Sequence, residues 1–214
     1  MKDFPIFSTE YGVASLFLKE IPYRQEAYIR IRDVQPGKLP ELLADCAGFC
    51  TMAGAERVYA AGHEDLDRYP LQGSVYTMQG AAWVDPEKRL HLFPVTEATV
   101  ARWRQICNER MRHVDFSATQ TSGDEKEILE SGRAYFVHDH GALRGIGWVK
   151  EQELLLIASV EKGMGERVAH TLMSLLEGQT MTLEVASTNT PAIRWYEKLG
   201  FLTTGEKVRW YRVR

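Results

Sequence analysis

The first half of the chain alternates between apolar and polar positions in a way that predicts strands around one helix. Residues 27–34 (AYIRIRDV) alternate cleanly, as a strand with one buried face does. With the preceding apolar stretch they predict a hairpin whose turn lies near residues 21–25. The remaining patterns predict a strand over 10–19, a helix over Leu39–Ala53, short strands over Arg57–Ala61 and Gly73–Gln79, and a loop over residues 63–70.

The second half gives a longer series of elements and ends in a glycine-flanked helix. The run Leu154–Val160 is apolar throughout, which predicts a central strand buried on both faces. Thr96 is the predicted cap of the helix that follows the first strand. The series is a strand over Leu90–Phe93, helices over Glu97–Arg112 and Ser122–Ser131, a hairpin of Gly132–His138 with Leu143–Lys150, the central strand, a helix from Gly165 to Leu176, a strand over Met181–Ala186, a helix over Thr190–Leu199, and a final pair of strands over Phe201–Val213.

Composition narrows the class of protein without naming a function. The 214 residues are 44% hydrophobic and carry a net charge of −3, which suits a globular protein with a substantial core. No stretch approaches the roughly 20 apolar residues of a membrane span, and the N-terminus does not resemble a signal peptide. The acidic balance argues against a nucleic-acid partner. We therefore expect a cytoplasmic protein with no membrane association.

Charge and pattern together suggest two regions. Residues 1–88 hold 9 basic and 13 acidic residues, a net of −4, while residues 89–214 hold 17 and 16, a net of +1. The order strand, helix, strand occurs in residues 27–61 and again in residues 153–186. We predict an N-terminal α/β segment over 1–88, which is a candidate degenerate half-copy of the second domain, and a domain over 89–214 that suits an anionic ligand better.

The three cysteines are predicted to be reduced. An odd number of cysteines without a secretory signal indicates free thiols in a reducing compartment. Cys46 and Cys50 lie one helical turn apart, but a metal site needs further ligands, and His63 is the only one near in sequence. We expect Cys46, Cys50 and Cys107 to be small buried hydrophobic residues, and no metal site.

A glycine turn between the central strand and the next helix is a candidate anion site. The turn Gly163-Met164-Gly165 leaves backbone N–H groups unpaired at a helix N-terminus, where the helix dipole favours negative charge. Lys162 and Arg167 add positive charge. The turn lacks the lysine of a P-loop and the third glycine of a dinucleotide fingerprint. An ordinary strand-to-helix turn is the alternative.

The segment TLEVASTNTPAIRWYEKLGF, residues 182–201, carries the most specific pattern. Asn189 is followed three residues later by Ala192, seven later by Tyr196, and then by Leu-Gly-Phe. This spacing resembles the last block of the GCN5-related N-acetyltransferase (GNAT) family. The upstream segment GMGERVAHTLM is similar to that family's pyrophosphate-binding loop and helix. The resemblance covers about residues 89–214 and implies an α/β fold with a mixed, mostly antiparallel central sheet flanked by helices.

The resemblance implies an enzyme that transfers an acetyl group from acetyl-CoA to an amine. Asn189 and Ala192 would lie beside the pantetheine arm, and Tyr196 would protonate the leaving thiolate as general acid. A core aromatic and a simple helix cap are the alternatives for Tyr196 and Asn189. The backbone that would bind pantetheine is that of Ile157, Ala158, Ser159 and Val160, and the pyrophosphate would lie at Lys162, Gly163, Met164, Gly165, Glu166, Arg167 and Val168.

The chain departs from the family pattern at the start of this loop, and its general base is not fixed. Val160 stands where the family usually has Arg or Gln, and the loop is short. Glu161 beside a pyrophosphate would repel it, whereas Lys162 would attract it. Glu184 is the leading candidate for the base; the alternatives are His138, His140, Glu153 and an acceptor amine that is already neutral.

Three functions remain open at this stage. The first is an N-acetyltransferase acting on a small-molecule or peptide amine, and the acidic cluster Glu64, Asp65 and Asp67 would favour a cationic acceptor. The second is an inactive domain that binds CoA or a protein partner. The third is an unrelated α/β domain that binds no CoA. A homodimer is compatible with the family resemblance, but no segment marks an interface.

Overall fold

A computed structural model describes residues 5–81 and 83–214, and the chain within it separates into two compact units. Of the described residues, the first unit contains 5–75 and 206–214, and the second contains those from 76 to 205. The boundary falls inside two strands, β5 (Leu71–Ala81) and β11 (Leu202–Arg212). The predicted segment 1–88 includes residues 1–4 and 82, which lie outside the described residues. The predicted division after residue 88 stays a prediction.

The first unit is built from antiparallel strands followed by a parallel crossover. β2 pairs antiparallel with β1 and β3, α2 crosses over, and β4 pairs parallel with β3. The last residues of β11 pair antiparallel with β4. The elements are β1 (Ile6–Thr9), β2 (Gly12–Phe17), α1 (Ile21–Arg24), β3 (Glu26–Val34), α2 (Leu39–Met52), β4 (Arg57–Ala61) and a 3₁₀ helix over Glu64–Arg68.

Most of the first unit follows the predicted pattern, with two corrections. The hairpin is confirmed as β2 and β3, and its connection contains α1. The predicted loop over residues 63–70 is wrong, because His63 accepts a hydrogen bond from the amide of Asp65 and starts a 3₁₀ helix. The predictions also missed β1. The core between the sheet and α2 includes Leu16, Ile29, Leu42, Cys46, Cys50 and Val58.

The second unit confirms the predicted fold class. Its sheet has the order β5, β10, β9, β8, β7, β6; the three pairs from β6 to β9 are antiparallel, and β9 with β10 is parallel. It is a mixed, mostly antiparallel sheet flanked by helices. Its elements are β6 (His91–Pro94), α3 (Val100–Met111), α4 (Glu125–Ser131), β7 (Ala134–Asp139), β8 (Ala142–Lys150), β9 (Glu153–Ser159), α5 (Gly165–Met173), β10 (Thr180–Ala186) and α6 (Thr190–Lys198).

Two separate cores cover the two faces of this sheet. One lies under α5 and α6 and contains Val168, Leu172, Leu183 and Phe201. The other lies under α3 and α4 and contains Trp103, Ile128, Ile146, Leu156 and Ala158. Burial of these large apolar side chains is the main stabilising contribution that fixes both helical layers on the strands.

Two sequence predictions in the second unit are wrong in detail, and a third holds except at one residue. The helix α3 begins at Val100, because the Oγ1 atom of Thr99 accepts a hydrogen bond from the amide of Thr96 and holds residues 96–99 in a turn. The tail is one strand, β11, instead of a pair. The strand β9 supplies buried side chains to both faces of the sheet, as predicted, but Leu155 within it is 42% exposed.

Candidate functional site

A β-bulge in β9 opens the sheet. Trp148 of β8 pairs with Leu156, but its neighbour Val149 pairs with Leu154, so Leu155 is an extra residue without a partner on β8. A bulge bends a strand and increases its twist. The pairing of β9 with β10 accordingly covers only Glu153 and Leu154. Beyond Leu154, the edge of β9 that faces β10 is free to pair with an extended ligand.

The bulge also explains why one residue of the apolar run is exposed. Leu154 packs into the core under α5 and α6, whereas Leu156 packs into the core under α3 and α4. A regular strand would send these two side chains to the same face. Leu155 between them is left exposed.

The N-terminus of α5 lies directly after this opening. Gly163 has a φ of +88°, a left-handed conformation that favours glycine. Met164 is the N-cap and supplies no side-chain cap. Within the described residues, the amides of Gly165, Glu166 and Arg167 have no acceptor. Bare amides at the positive end of a helix dipole are what an anion site needs, so the geometry is compatible with the predicted anion site, which stays a prediction.

Two glycines of β8 let α5 lie close against the sheet. A Cβ atom on Gly145 would come within 2.7 Å of Val168, and one on Gly147 within 2.1 Å of Leu172. Either contact would force the helix away from β8. The sequence analysis missed these residues, although the spacing Gly-Ile-Gly in a strand is a signal of close approach.

Ion pairs surround the loop between β9 and α5. Arg144 of β8 forms an ion pair with Glu161, so the carboxylate that was expected to repel an anion is neutralised. Arg167 donates a hydrogen bond to Asp139 at 3.1 Å. Lys162 is exposed and has no ion-pair partner within the described residues.

The carboxylate in the first turn of α5 is also paired. Lys88 donates a hydrogen bond to Glu166 at 2.8 Å, and this contact lowers the pKa of the Glu166 carboxyl. His170, one turn further along, is fully buried; its Nδ1 atom accepts a hydrogen bond from the amide of Asp85 at 3.4 Å. Burial lowers the pKa of His170, which favours the neutral ring.

Asn189 caps α6, as predicted. Its Oδ1 atom accepts a hydrogen bond from the amide of Ala192 at 3.4 Å, and Pro191 occupies the first turn. This contact holds the start of α6 at the end of β10. The side-chain amide nitrogen of Asn189 makes no hydrogen bond within residues 5–81 and 83–214, so it is available to a ligand.

Tyr196 lies on α6 against the core shared with α5. Its ring contacts those of Trp195 and Phe201, with centroids 5.1 and 5.8 Å away. Phe201 is fully buried and lies against Gly80. Burial raises the pKa of Tyr196 to about 12, so its hydroxyl keeps its proton at neutral pH. That hydroxyl has no hydrogen-bond partner in the described part of the chain.

The structure brings together residues from three predicted segments. Ile157, Met164, Ala192 and Tyr196 all pack against the core under α5 and α6. They come from β9, the loop before α5, and α6. These four candidate donor-binding residues thus share one face of the second unit, whereas Ala158 and Val160 pack with the core under α3 and α4.

The four side chains that are candidate general bases lie in different surroundings. Glu184 is exposed on β10, and it alternates with Leu183 and Val185, so it points to the face opposite α5 and α6. His138 packs between the rings of Phe93 and Phe136. His140 is an exposed turn residue with a φ of +48°, and Glu153 is exposed where β9 begins.

The cysteines are structural, as predicted. Cys46, Cys50 and Cys107 are free and buried. Burial raises the pKa values of their thiols to about 12, 11 and 12. They therefore stay protonated and unreactive at neutral pH. Among the described residues, no group of three or more His, Cys, Asp or Glu side chains has the geometry of a metal site, and no helix is long and apolar enough to span a membrane.

Comparison with known proteins defines the class of fold first. A functionally unknown conserved protein from Staphylococcus epidermidis superposes with a TM-score of 0.61 at 10% identity, covering 98% of this chain and 93% of that one. The GCN5-related N-acetyltransferase from Sphaerobacter thermophilus gives 0.53 at 10% identity, covering 94% and 75%. The one from Anabaena variabilis gives 0.61 at 10% identity, covering 87% and 54%. The fold is that of the GCN5-related N-acetyltransferases.

The sequence comparison then points to the same family. Residues 157–211 match the family model described as FR47-like protein, which is related to the GNAT family. The match starts in β9 and includes the glycine turn, Asn189 and Tyr196. No curated protein matches the sequence. The predicted resemblance to the GNAT family is therefore confirmed.

Proposed function

We propose that this protein is an N-acetyltransferase that uses acetyl-CoA as its acyl donor. The observation that carries the proposal is the opening between β9 and β10 beside the bare N-terminus of α5. An extended amide-containing arm fits the first feature, and a diphosphate fits the second. Both lie in the segment that matches the family model.

The donor would bind mainly through backbone groups. The edge of β9 from Ile157 to Ser159 supplies amides and carbonyls for the pantetheine arm, as an added strand would need, whereas the backbone of Val160 is already hydrogen-bonded within the chain. Of the predicted loop, the bare amides of Gly165, Glu166 and Arg167 would hold the diphosphate. Lys162 adds a positive charge that no ion pair engages within the described residues. Asn189 and Ala192 would border the arm at the start of α6.

Tyr196 would act as the general acid. Acetyl-CoA supplies a thioester, whose carbonyl is attacked by an amine and whose sulfur leaves as a thiolate. The sulfur leaves more easily when a proton is transferred to it as the carbon–sulfur bond breaks. The hydroxyl of Tyr196 is protonated, unpaired, and close to the core that Ile157 also contacts. We assign it the proton transfer to sulfur.

The acceptor would be a primary amine of a small molecule or a peptide. Such an amine is mostly protonated at neutral pH and must lose a proton before it attacks. Glu184 is our proposed base because it lies on the neighbouring strand and points to the face opposite Tyr196. That placement separates the site of deprotonation from the site where the thiolate is protonated.

A thermal-shift titration tests the donor. The ligands are acetyl-CoA, desulfo-CoA and ADP, each raised to millimolar concentration. A ligand at about 100 times its dissociation constant adds roughly 2.7 kcal/mol to the free energy of unfolding. We expect a saturable shift with both CoA compounds. No shift with either would refute the proposed donor.

Turnover separates an enzyme from a binding domain. Release of free CoA thiol is followed with a panel of amines and a thiol reagent, for the native chain and for Tyr196→Phe. Saturable binding without turnover on any amine would favour an inactive domain that only binds CoA. Turnover that is lost in Tyr196→Phe, with unchanged acetyl-CoA affinity, supports the enzyme.

A further inference from the structure

We infer that Arg144 is a positioning residue that sets the affinity of the donor site for the diphosphate. It does so without contacting the donor, by neutralising Glu161 and holding the loop before α5. This inference rests on the proposed use of acetyl-CoA. It assigns a role to a residue outside the matched segment 157–211, which the sequence analysis did not select.

Arg144 reaches the loop from the neighbouring strand. Its carbonyl accepts a hydrogen bond from the amide of Val160 at 2.9 Å, which fixes the point where the loop leaves β9. Its guanidinium forms an ion pair with Glu161. Backbone and side chain of one residue therefore hold two successive residues at the start of the loop.

The same guanidinium is tied to the far end of the loop through Asp139. The Nε atom of Arg144 is buried without a hydrogen-bond partner among the described residues, and it lies 4.0 Å from the Asp139 carboxylate. Asp139 accepts a hydrogen bond from Arg167 in the first turn of α5. The series Glu161, Arg144, Asp139, Arg167 thus spans the loop from its first residue to the helix.

A third contact supports the same loop. Arg110 of α3 donates a hydrogen bond to the carbonyl of Val160 at 2.6 Å. The amide and the carbonyl of Val160 are therefore both bonded to arginine residues. This leaves little freedom for the residues that precede Gly163.

Charge explains why the ion pair matters for an anionic ligand. The Glu161 side chain is about half exposed and stands directly before Lys162. Without Arg144, Glu161 would lose its cationic partner beside a site for a diphosphate, whereas Asp139 would keep Arg167. An uncompensated carboxylate beside the site repels an anionic ligand, and dissolved salt weakens this repulsion.

The test measures acetyl-CoA affinity by calorimetry in four proteins: the native chain, R144Q, E161Q and the double variant. We expect R144Q to bind about five- to tenfold more weakly at low salt, with a smaller difference at ~0.5 M salt. E161Q should bind as well as the native chain or up to about threefold more tightly, because it frees the Arg144 guanidinium. The double variant should lie within about twofold of the native chain.

Two readouts separate positioning from a merely structural role. General loss of stability would weaken R144Q and the double variant alike, and it would not make E161Q bind more tightly. R144K should recover part of the affinity, since one ammonium group can pair with Glu161 but cannot reach both carboxylates as a guanidinium does. E161Q also tests the inference with Arg144 intact, should R144Q fold poorly.

The outcomes distinguish this inference from the proposed function. If the native chain does not bind acetyl-CoA, the proposed function fails and takes the inference with it. If the native chain binds but R144Q binds equally well, only the inference fails. A double variant as weak as R144Q would also overturn it, because Arg144 would then not act through Glu161.

Discussion

The two units follow the same sequence of strand pairings. In the first, β1, β2 and β3 are antiparallel, and α2 leads to β4, which is parallel to β3. In the second, β7, β8, β9, α5 and β10 repeat that order. Each crossover helix starts two residues after a left-handed glycine, Gly37 or Gly163. This shared order supports the prediction that the first unit is a degenerate half-copy of the second. It stays a prediction.

The units differ at the two points where a ligand would bind. β3 and β4 pair along five residues, Glu26–Arg30 with Arg57–Ala61, whereas β9 and β10 pair along two. The helix α2 starts with the buried Leu39 and with Pro40, which has no N–H group. The helix α5 starts with Gly165 and bare amides. The same backbone frame therefore carries a candidate site only where strand pairing is interrupted and the helix N-terminus is open.

The largest expected effect is on turnover, from a change confined to the second unit. Tyr196→Phe should lower the turnover number about a hundredfold, because a general acid contributes roughly 10²–10⁴-fold. Acetyl-CoA affinity should change by less than about twofold. Tyr23→Phe, an exposed tyrosine of the first unit, is the control and should keep full turnover. Equal turnover numbers for both variants would show that Tyr196 takes no part in the chemistry.

Alanine at one glycine in each unit should change stability in opposite directions. Gly147→Ala places a methyl group against Leu172 and should lower the free energy of unfolding by about 1–3 kcal/mol. Gly48→Ala lies at an open, exposed position inside α2 and should raise it by about 0.5–1 kcal/mol. Denaturant unfolding of both variants measures the difference. If Gly147→Ala left the free energy of unfolding unchanged, α5 would not be held close to β8.

The two left-handed glycines give a matched pair for binding. Gly163→Ala and Gly37→Ala should each lower the free energy of unfolding by about 1 kcal/mol, since both have positive φ and open space around them. Only Gly163→Ala should weaken acetyl-CoA binding, by roughly threefold to tenfold. Calorimetric titration of both variants checks this. Equal weakening in the two would show that the loss comes from stability alone.

The smallest effect concerns pH and again separates the two helices. The buried positions of α2 carry no carboxylate or histidine, whereas α5 buries His170. Its pKa is lowered by burial, so the unfolded chain takes up a proton near pH 6.5 that the folded chain resists. His170 therefore costs stability as pH falls below about 7. Between about pH 7 and 5, the free energy of unfolding of His170→Asn should fall less than that of the native chain. Denaturant titrations measure both. An identical pH dependence would contradict the role of His170.

Local signals in the sequence were enough to predict much of the fold. The helical spacing of Leu39–Ala53 and the alternation of residues 27–34 gave both elements close to their observed bounds. The spacing from Asn189 to Tyr196 identified the last helix and its cap. These features depend on residues within two or three turns of each other, which is the range over which periodicity and capping act.

The missing parts of the candidate site depend on register and on distant partners. The run from Leu154 to Val160 is uniformly apolar, so no alternation marks Leu155 as an extra residue. The pairing of Glu161 with Arg144 joins residues 17 positions apart, one in the loop after β9 and one on β8, and it follows only from the register of β8 with β9. Glu161 was correctly placed beside the glycine turn, but its neutralising partner was not foreseen.

The bulge at Leu155 also determines what would happen if the chain were one residue shorter. Leu154 and Leu156 already point to opposite faces, as neighbouring residues of a regular strand do. A chain without Leu155 would keep every core side chain of β9 on its present face and would let β10 continue to pair. It would retain the fold and close the opening. One residue of length, without any change of chemistry, thus separates a fully paired strand from one with an open edge.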